Sequence, residues 1–155
     1  MNLAQSAKIV PVLEPQDHAA GVDCDSVSTS LYNHFAFIIL FGELTGDSVL
    51  TVNSGATAGT KTTAETFRYR ATAIDLKSAG GDTLGAEATS AALTLTAATY
   101  EDRMLVVEID ADELTAGQEW ITVTFSSAAS ELFVSVSAIG LQARYLSDIP
   151  PTAIS

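Results

Sequence analysis

Apolar and polar residues alternate with a period of two along much of this chain. Phe67, Tyr69, Ala71 and Ala73 are interleaved with Arg68, Arg70, Thr72 and Ile74; Val123 and Phe125 with Thr122 and Thr124; and Phe133, Ser135 and Ser137 with Leu132, Val134 and Val136. Successive side chains of a strand point to opposite faces, so this alternation predicts strands with two unlike faces. Thr, Val, Ile and aromatic residues fill the runs, and these types suit a pleated surface. The pattern predicts strands over 8–13, 34–42, 48–53, 66–74, 91–96, 104–109, 120–126 and 132–143. The run over 35–41 is the most apolar and predicts a central strand. Pro11 makes the first strand an edge strand or an extended arm.

No segment sustains a 3.6-residue apolar period. The segment 110–117 predicts one helical turn, begun by Asp110 and ended by Gly117. Its Asp110…Glu113 spacing is that of a capping box with Asp in the place of Ser or Thr. Segments 53–63 and 78–83 are small, polar and glycine-containing, and predict flexible loops. Segment 16–30 reads as too polar for a core and predicts a surface loop. Eight short strands separated by turn signals predict a single-domain all-β protein, an antiparallel β-sandwich or jelly-roll-like body. The body is expected over 16–144. Residues 1–15 form an N-terminal arm or edge strand, and residues 145–155 an extended C-terminal tail stiffened by Pro150 and Pro151.

Composition narrows the function classes. The chain has 155 residues, seven basic against nineteen acidic, for a net charge of −12. Seven cations are too few for a phosphate-binding face, so nucleic acid is not an expected partner. One cysteine, Cys24, excludes a disulfide scaffold. The N-terminus lacks a basic region followed by an apolar one, which argues against a signal peptide. The run over 35–41 is about a third of the length that a membrane-spanning helix needs. The expected place of synthesis is therefore a reducing cytoplasm, with no membrane association.

The residues that carry chemistry do not converge in the sequence. His18 and His34 are the only histidines, and no serine sits in a Gly-x-Ser-x-Gly elbow, so His34 reads as a strand-end histidine. Asp17, Asp23 and Asp25 surround Cys24 but lack the ligand spacing of a calcium loop and read as a solvated acidic segment. Cys24 has no cationic neighbour to lower its thiol pKa. Glu101, Asp102, Glu108, Asp110, Asp112 and Glu113 include carboxylate pairs of the kind used in glycoside hydrolysis, yet read as a solvated face and a cap. Tyr32, Tyr69, Tyr100 and Trp120 are candidates for a sugar-stacking platform if they are exposed and coplanar. The glycines lack the Gly-Lys-Ser/Thr of a phosphate loop. No catalytic residue, metal ligand or cofactor is expected, and the chain reads as a non-enzyme.

Four stretches resemble a family of small proteins encoded among the head genes of tailed bacteriophages. They are residues 1–15, residues 25–42 running into 45–52, the Phe67-Arg68-Tyr69-Arg70 segment with the hairpin after it, and residues 105–114. The family is that of capsid decoration, or cement, proteins. The resemblance implies a β-sandwich on the outer capsid surface of the virion, with the major capsid protein as partner and self-association as a homotrimer at local three-fold axes. It transfers no catalytic motif. A cement protein bridges subunits by surface area, so apolar anchors on extended arms are expected. Leu3, Lys8, Ile9, Val10, Val12 and Leu13 in the first arm are the interface candidates, with Arg144, Tyr145, Leu146, Ile149, Pro150 and Pro151 in the second. Two alternatives stay open: another virion component, such as a head–tail connector or tail protein, and a carbohydrate-binding module for host attachment.

Overall fold

The structure, a computed structural model, describes residues 7–144. Twelve strands make two antiparallel sheets that face each other across one core. In chain order they are β1 (Lys8–Asp17), β2 (Val22–Asp23), β3 (Val27–Ser28), β4 (Tyr32–Thr45), β5 (Ser48–Gly55), β6 (Thr63–Glu65), β7 (Phe67–Ala71), β8 (Ala88–Ser90), β9 (Leu93–Leu95), β10 (Met104–Asp110), β11 (Trp120–Phe125) and β12 (Glu131–Ala143). The first sheet, sheet A, runs β1-β12-β4-β10-β7-β8. The second, sheet B, runs β2-β11-β5-β6, with β3 also on β11 and β9 also on β5. The fold is therefore an all-β sandwich. A single helical turn, α1 (Ala97–Tyr100), precedes β10, and a 3-10 turn (Ala111–Glu113) follows it.

The alternation sets which side chains enter the core. Phe35, Phe37, Ile39 and Phe41 of β4 point inward, with Leu105, Val107 and Ile109 of β10 and Val134, Val136 and Ala138 of β12. Leu50 and Val52 of β5 and Ile121, Val123 and Phe125 of β11 meet them from sheet B. Phe41 joins the two layers edge-to-face with Phe125, at 6.3 Å between ring centroids, a favoured aromatic geometry. Gly140 of β12 leaves room for the buried ring of Tyr32. A Cβ on Gly140 would stand 2.9 Å from Tyr32 Cγ.

Two expectations are corrected. Segment 16–30 is not a surface loop: it forms β2 and β3 and buries Cys24, Ser26, Val27 and Thr29. Its polar groups are buried because each finds a partner. The Cys24 N–H donates to Val123 O at 2.9 Å, the Thr29 N–H to Glu119 O at 2.8 Å, and Ser26 Oγ lies 2.7 Å from Thr122 Oγ1. The strand expected to end at 74 stops at Ala71, and the chain leaves on an excursion held by a Thr72–Leu84 bridge. Of the two readings of the first segment, arm or edge strand, residues 8–15 take the edge strand. They lie in β1, paired along β12 with two register shifts, and Val10, Val12 and Leu13 sit in the core. Both prolines of this segment lie on the edge strand, where a missing N–H costs least.

Candidate functional site

The outer face of sheet A follows from the cross-strand register. Leu105, Val107 and Ile109 point inward, so Met104, Val106, Glu108 and Asp110 point outward. One row runs Ile9–Ile139–Ala36–Glu108–Arg68 across five strands. The next runs Pro11–Ser137–Ile38–Val106–Arg70, and a third Ser135–Leu40–Met104. Along these rows from β1 to β10 the face is therefore apolar with small hydroxyls; it becomes charged at the β10–β7 margin and, beside Phe133, at Asp17 of β1. Leu40 and Phe133, neighbours on this face, are 44% and 42% exposed, and Ile9, two rows away on β1, is 47% exposed. Leu40 and Phe133 wall a shallow cleft of about 210 Å³, with Gly42 and Ser135 also lining it.

A charged network closes this face at the end where β10 finishes. His34 Nδ1 lies 2.6 Å from Asp110 Oδ1, and its Nε2 lies 3.3 Å from Glu108 Oε1. Arg68 donates to Asp110 Oδ2 at 2.7 Å and to Glu113 Oε1 at 2.5 Å. Glu113 also accepts the Asp110 N–H at 2.9 Å, which is the Glu half of the capping box read in the sequence. The local motif thus aims Glu113, and tertiary pairing brings it Arg68. Burial alone would push the Asp110 carboxyl up, but the hydrogen bonds with His34 and Arg68 outweigh it and hold the carboxyl below its ordinary range. Burial likewise disfavours the Arg68 charge, and its bonds to Asp110 and Glu113 more than restore it. An Asp110 kept ionised is the reverse of what a general acid in a carboxylate pair needs. Both His34 nitrogens face carboxylates, with no hydroxyl or thiol bonded to them among the described residues. The network therefore fastens β4, β10 and β7 together.

The other candidates are placed apart. Asp17 Oδ1 accepts the N–H groups of Ala19 and Leu132, while Asp23 pairs with Lys61 at 2.6 Å. Among the described residues no three His, Cys, Asp or Glu side chains are grouped to hold a metal ion. Cys24 is buried, and burial, with Asp23 and Asp25 nearby, pushes its thiol up. The four aromatic residues do not form a platform. Tyr32 and Tyr100 are core residues, Tyr69 packs against the core from sheet A, and Trp120 begins β11 in sheet B. The His18 ring nitrogen Nε2 lies 3.3 Å from the Glu14 carbonyl.

Of the interface candidates, Ile9 lies on the apolar face, and Lys8 is half-buried opposite Gly140. Val10, Val12 and Leu13 are spent on their own core. Arg144 is exposed, donates its N–H to Leu31 O at 2.9 Å, and borders an open cleft with Asn33, Asp110, Asp112 and Gln142. Leu3, Tyr145, Leu146, Ile149, Pro150 and Pro151 lie outside the described residues. Ile38, Leu40, Met104, Val106 and Ile139 are the surface residues that the sequence reading missed. Their signal was present in β4, where residues 35–41 are apolar at every position. A strand apolar on both faces has a second face to cover.

No protein-family model matches the chain, and no curated protein is similar to it. Among the described residues no helix is long and apolar enough to cross a membrane.

Proposed function

We propose that this chain is a non-catalytic structural protein of a virion, decorating the outside of a tailed-phage head and reinforcing its shell. The observation that carries this reading is the position of the chain ends. Lys8 pairs with Gly140, and Ala143 pairs with Tyr32, so the described chain enters and leaves the body at one end, on neighbouring strands. The sequence continues beyond these two points with Leu3 on one side and Leu146 and Ile149 on the other. A sandwich whose described chain begins and ends at one end fits a body that clamps adjoining shell subunits of the major capsid protein. The strand orders β1-β12-β4-β10 and β2-β11-β5-β6 support reading the sandwich as a jelly roll. The four sequence stretches that resemble decoration proteins agree with this use.

The test is to compare heads assembled with and without the protein. Bare heads are expected to assemble, but to release their DNA sooner on heating or low-salt shock. Added protein is expected to cosediment with empty capsids, and deletion of 145–155 to abolish that binding. Equal DNA retention with and without the protein would remove the reinforcing role.

A further inference from the structure

We infer that His34 is a proton-operated latch on the outer face of sheet A, holding the Glu108 carboxylate as the imidazolium and releasing it to water as the neutral ring. The inference concerns the body of the protein and does not rest on the shell reading. Its first ground is a count of protons. His34 Nδ1 lies 2.6 Å from Asp110 Oδ1, and Nε2 lies 3.3 Å from Glu108 Oε1. An ionised carboxylate only accepts, so each contact needs an N–H from the ring. The imidazolium has two and serves both carboxylates. The neutral ring has one, serves a single carboxylate, and turns a lone pair to the other.

The surroundings decide which carboxylate is given up. Asp110 lies directly across from His34 in the β4–β10 register and makes the shorter contact. Its second oxygen accepts Arg68 at 2.7 Å, so it stays held when the ring keeps one proton. Glu108 lies diagonally, opposite Ala36. Among the described residues His34 is its only bonded partner. The His34 side chain is 14% exposed and that of Glu108 33%, so the carboxylate has solvent to turn into while the ring stays packed.

The other groups around the ring do not take its place. Arg68 stands opposite Glu108 on β7, but its guanidinium is aimed at Asp110 and Glu113. On the other side of β4, β12 places the uncharged Leu141 opposite His34. Asp112 and Arg144 line the cleft beside Asp110 and are bonded to neither His34 nor Glu108. In the bonded set, His34 and Arg68 against Glu108, Asp110 and Glu113, the charge is 2 − 3 = −1 with the imidazolium and 1 − 3 = −2 without it. The latch therefore adds one free carboxylate and one negative charge to the β10–β7 margin as pH rises through the range in which imidazoles lose a proton, about 5–8.

The test is NMR of the full chain across that range, following both histidine rings and the side-chain carboxyl carbons. Glu108 Cδ is expected to shift in step with the His34 ring, with one shared midpoint. Nuclear Overhauser contacts between the Glu108 γ-protons and the His34 ring should be present at the acid end and lost at the alkaline end, where Nδ1 keeps its proton. His34→Gln should abolish the Glu108 shift in this range, and His18→Gln should leave it in place. The shared midpoint and the lost contacts are read in the wild type, so the test holds even where a variant folds poorly. A Glu108 that keeps its contact with the ring at the alkaline end, a ring that keeps its Nε2 proton instead, or a Glu108 shift that survives His34→Gln would overturn the latch.

Discussion

Gly140→Ala is expected to destabilise the protein by about 1–3 kcal/mol, the usual cost of overpacking a filled core. Gly140 has no left-handed φ, so its glycine serves space and not backbone conformation. The added Cβ would lie 2.9 Å from Tyr32 Cγ and 3.1 Å from both Cδ atoms. Carbon atoms pack best at about 3.5–4.0 Å, so three contacts are each too short by about half an ångström. Tyr32 cannot simply withdraw. It is 2% exposed, and its ring packs edge-to-face on Phe35 at 5.8 Å. For a domain of this size the penalty corresponds to a fall of about 3–10 °C in melting temperature. Urea and thermal unfolding would measure it. Tyr32→Leu removes the ring atoms that meet the new methyl group, so the cost of Gly140→Ala should drop sharply in that background, with a coupling of about 1 kcal/mol or more. A Gly140→Ala protein as stable as the wild type, or strictly additive effects of the two substitutions, would refute this account of the packing.

Three further outcomes are expected. Because Asp110 is held below its ordinary range, its network stabilises the fold above the unfolded-state value of about 3.9 and loses that contribution as pH falls through the folded-state value; the urea stability gap between wild type and Asp110→Asn should therefore narrow below about pH 4, and a gap unchanged down to about pH 3 would contradict it. Buried Glu65 accepts Ser54 Oγ at 2.5 Å and the Thr115 N–H at 2.8 Å, and Ser54 Oγ keeps Gln118 Oε1 at 2.6 Å as a second acceptor, so Glu65→Ala should cost about 1–3 kcal/mol in chemical denaturation by orphaning the Thr115 N–H, and a smaller loss would mean that water replaces the carboxylate. Cys24, its thiol pushed up by burial, should react with a thiol reagent only as fast as the protein opens; labelling in native buffer at the rate of a free thiol would place it at the surface instead.

The parts of the fold that were legible are those where local pattern and tertiary environment agree. The expected strands over 104–109 and 120–126 are β10 and β11 to within one residue, because their alternation is matched by one buried and one outer face. The turn at Asp110 was legible because a capping box is a local device. Segment 16–30 was not legible: its serines and threonines look solvent-facing until β11 supplies their hydrogen-bond partners, which lie far away in the sequence. His34 is a similar case. Its carboxylate neighbours lie 74 and 76 positions away, and only the β4–β10 register brings them together. The apolar run of β4 announced burial on both faces, but a sequence does not say which strands flank it or what covers its outer side.

The order of strands in space also dictates an order in time. β11 is an interior strand of sheet B, and β12 lies between β1 and β4 in sheet A, yet these are the last two strands among the described residues. As the polypeptide leaves the ribosome, β1 and β4 emerge without the strand that joins them, and β5 emerges without β11. Sheet B lacks an interior strand until β11 is made and sheet A lacks one until β12 is made, so the apolar 35–41 stretch has β10 on one side and no neighbour on the other until synthesis is nearly over. A fragment that stops before residue 120 lacks an interior strand of each sheet and not merely an edge.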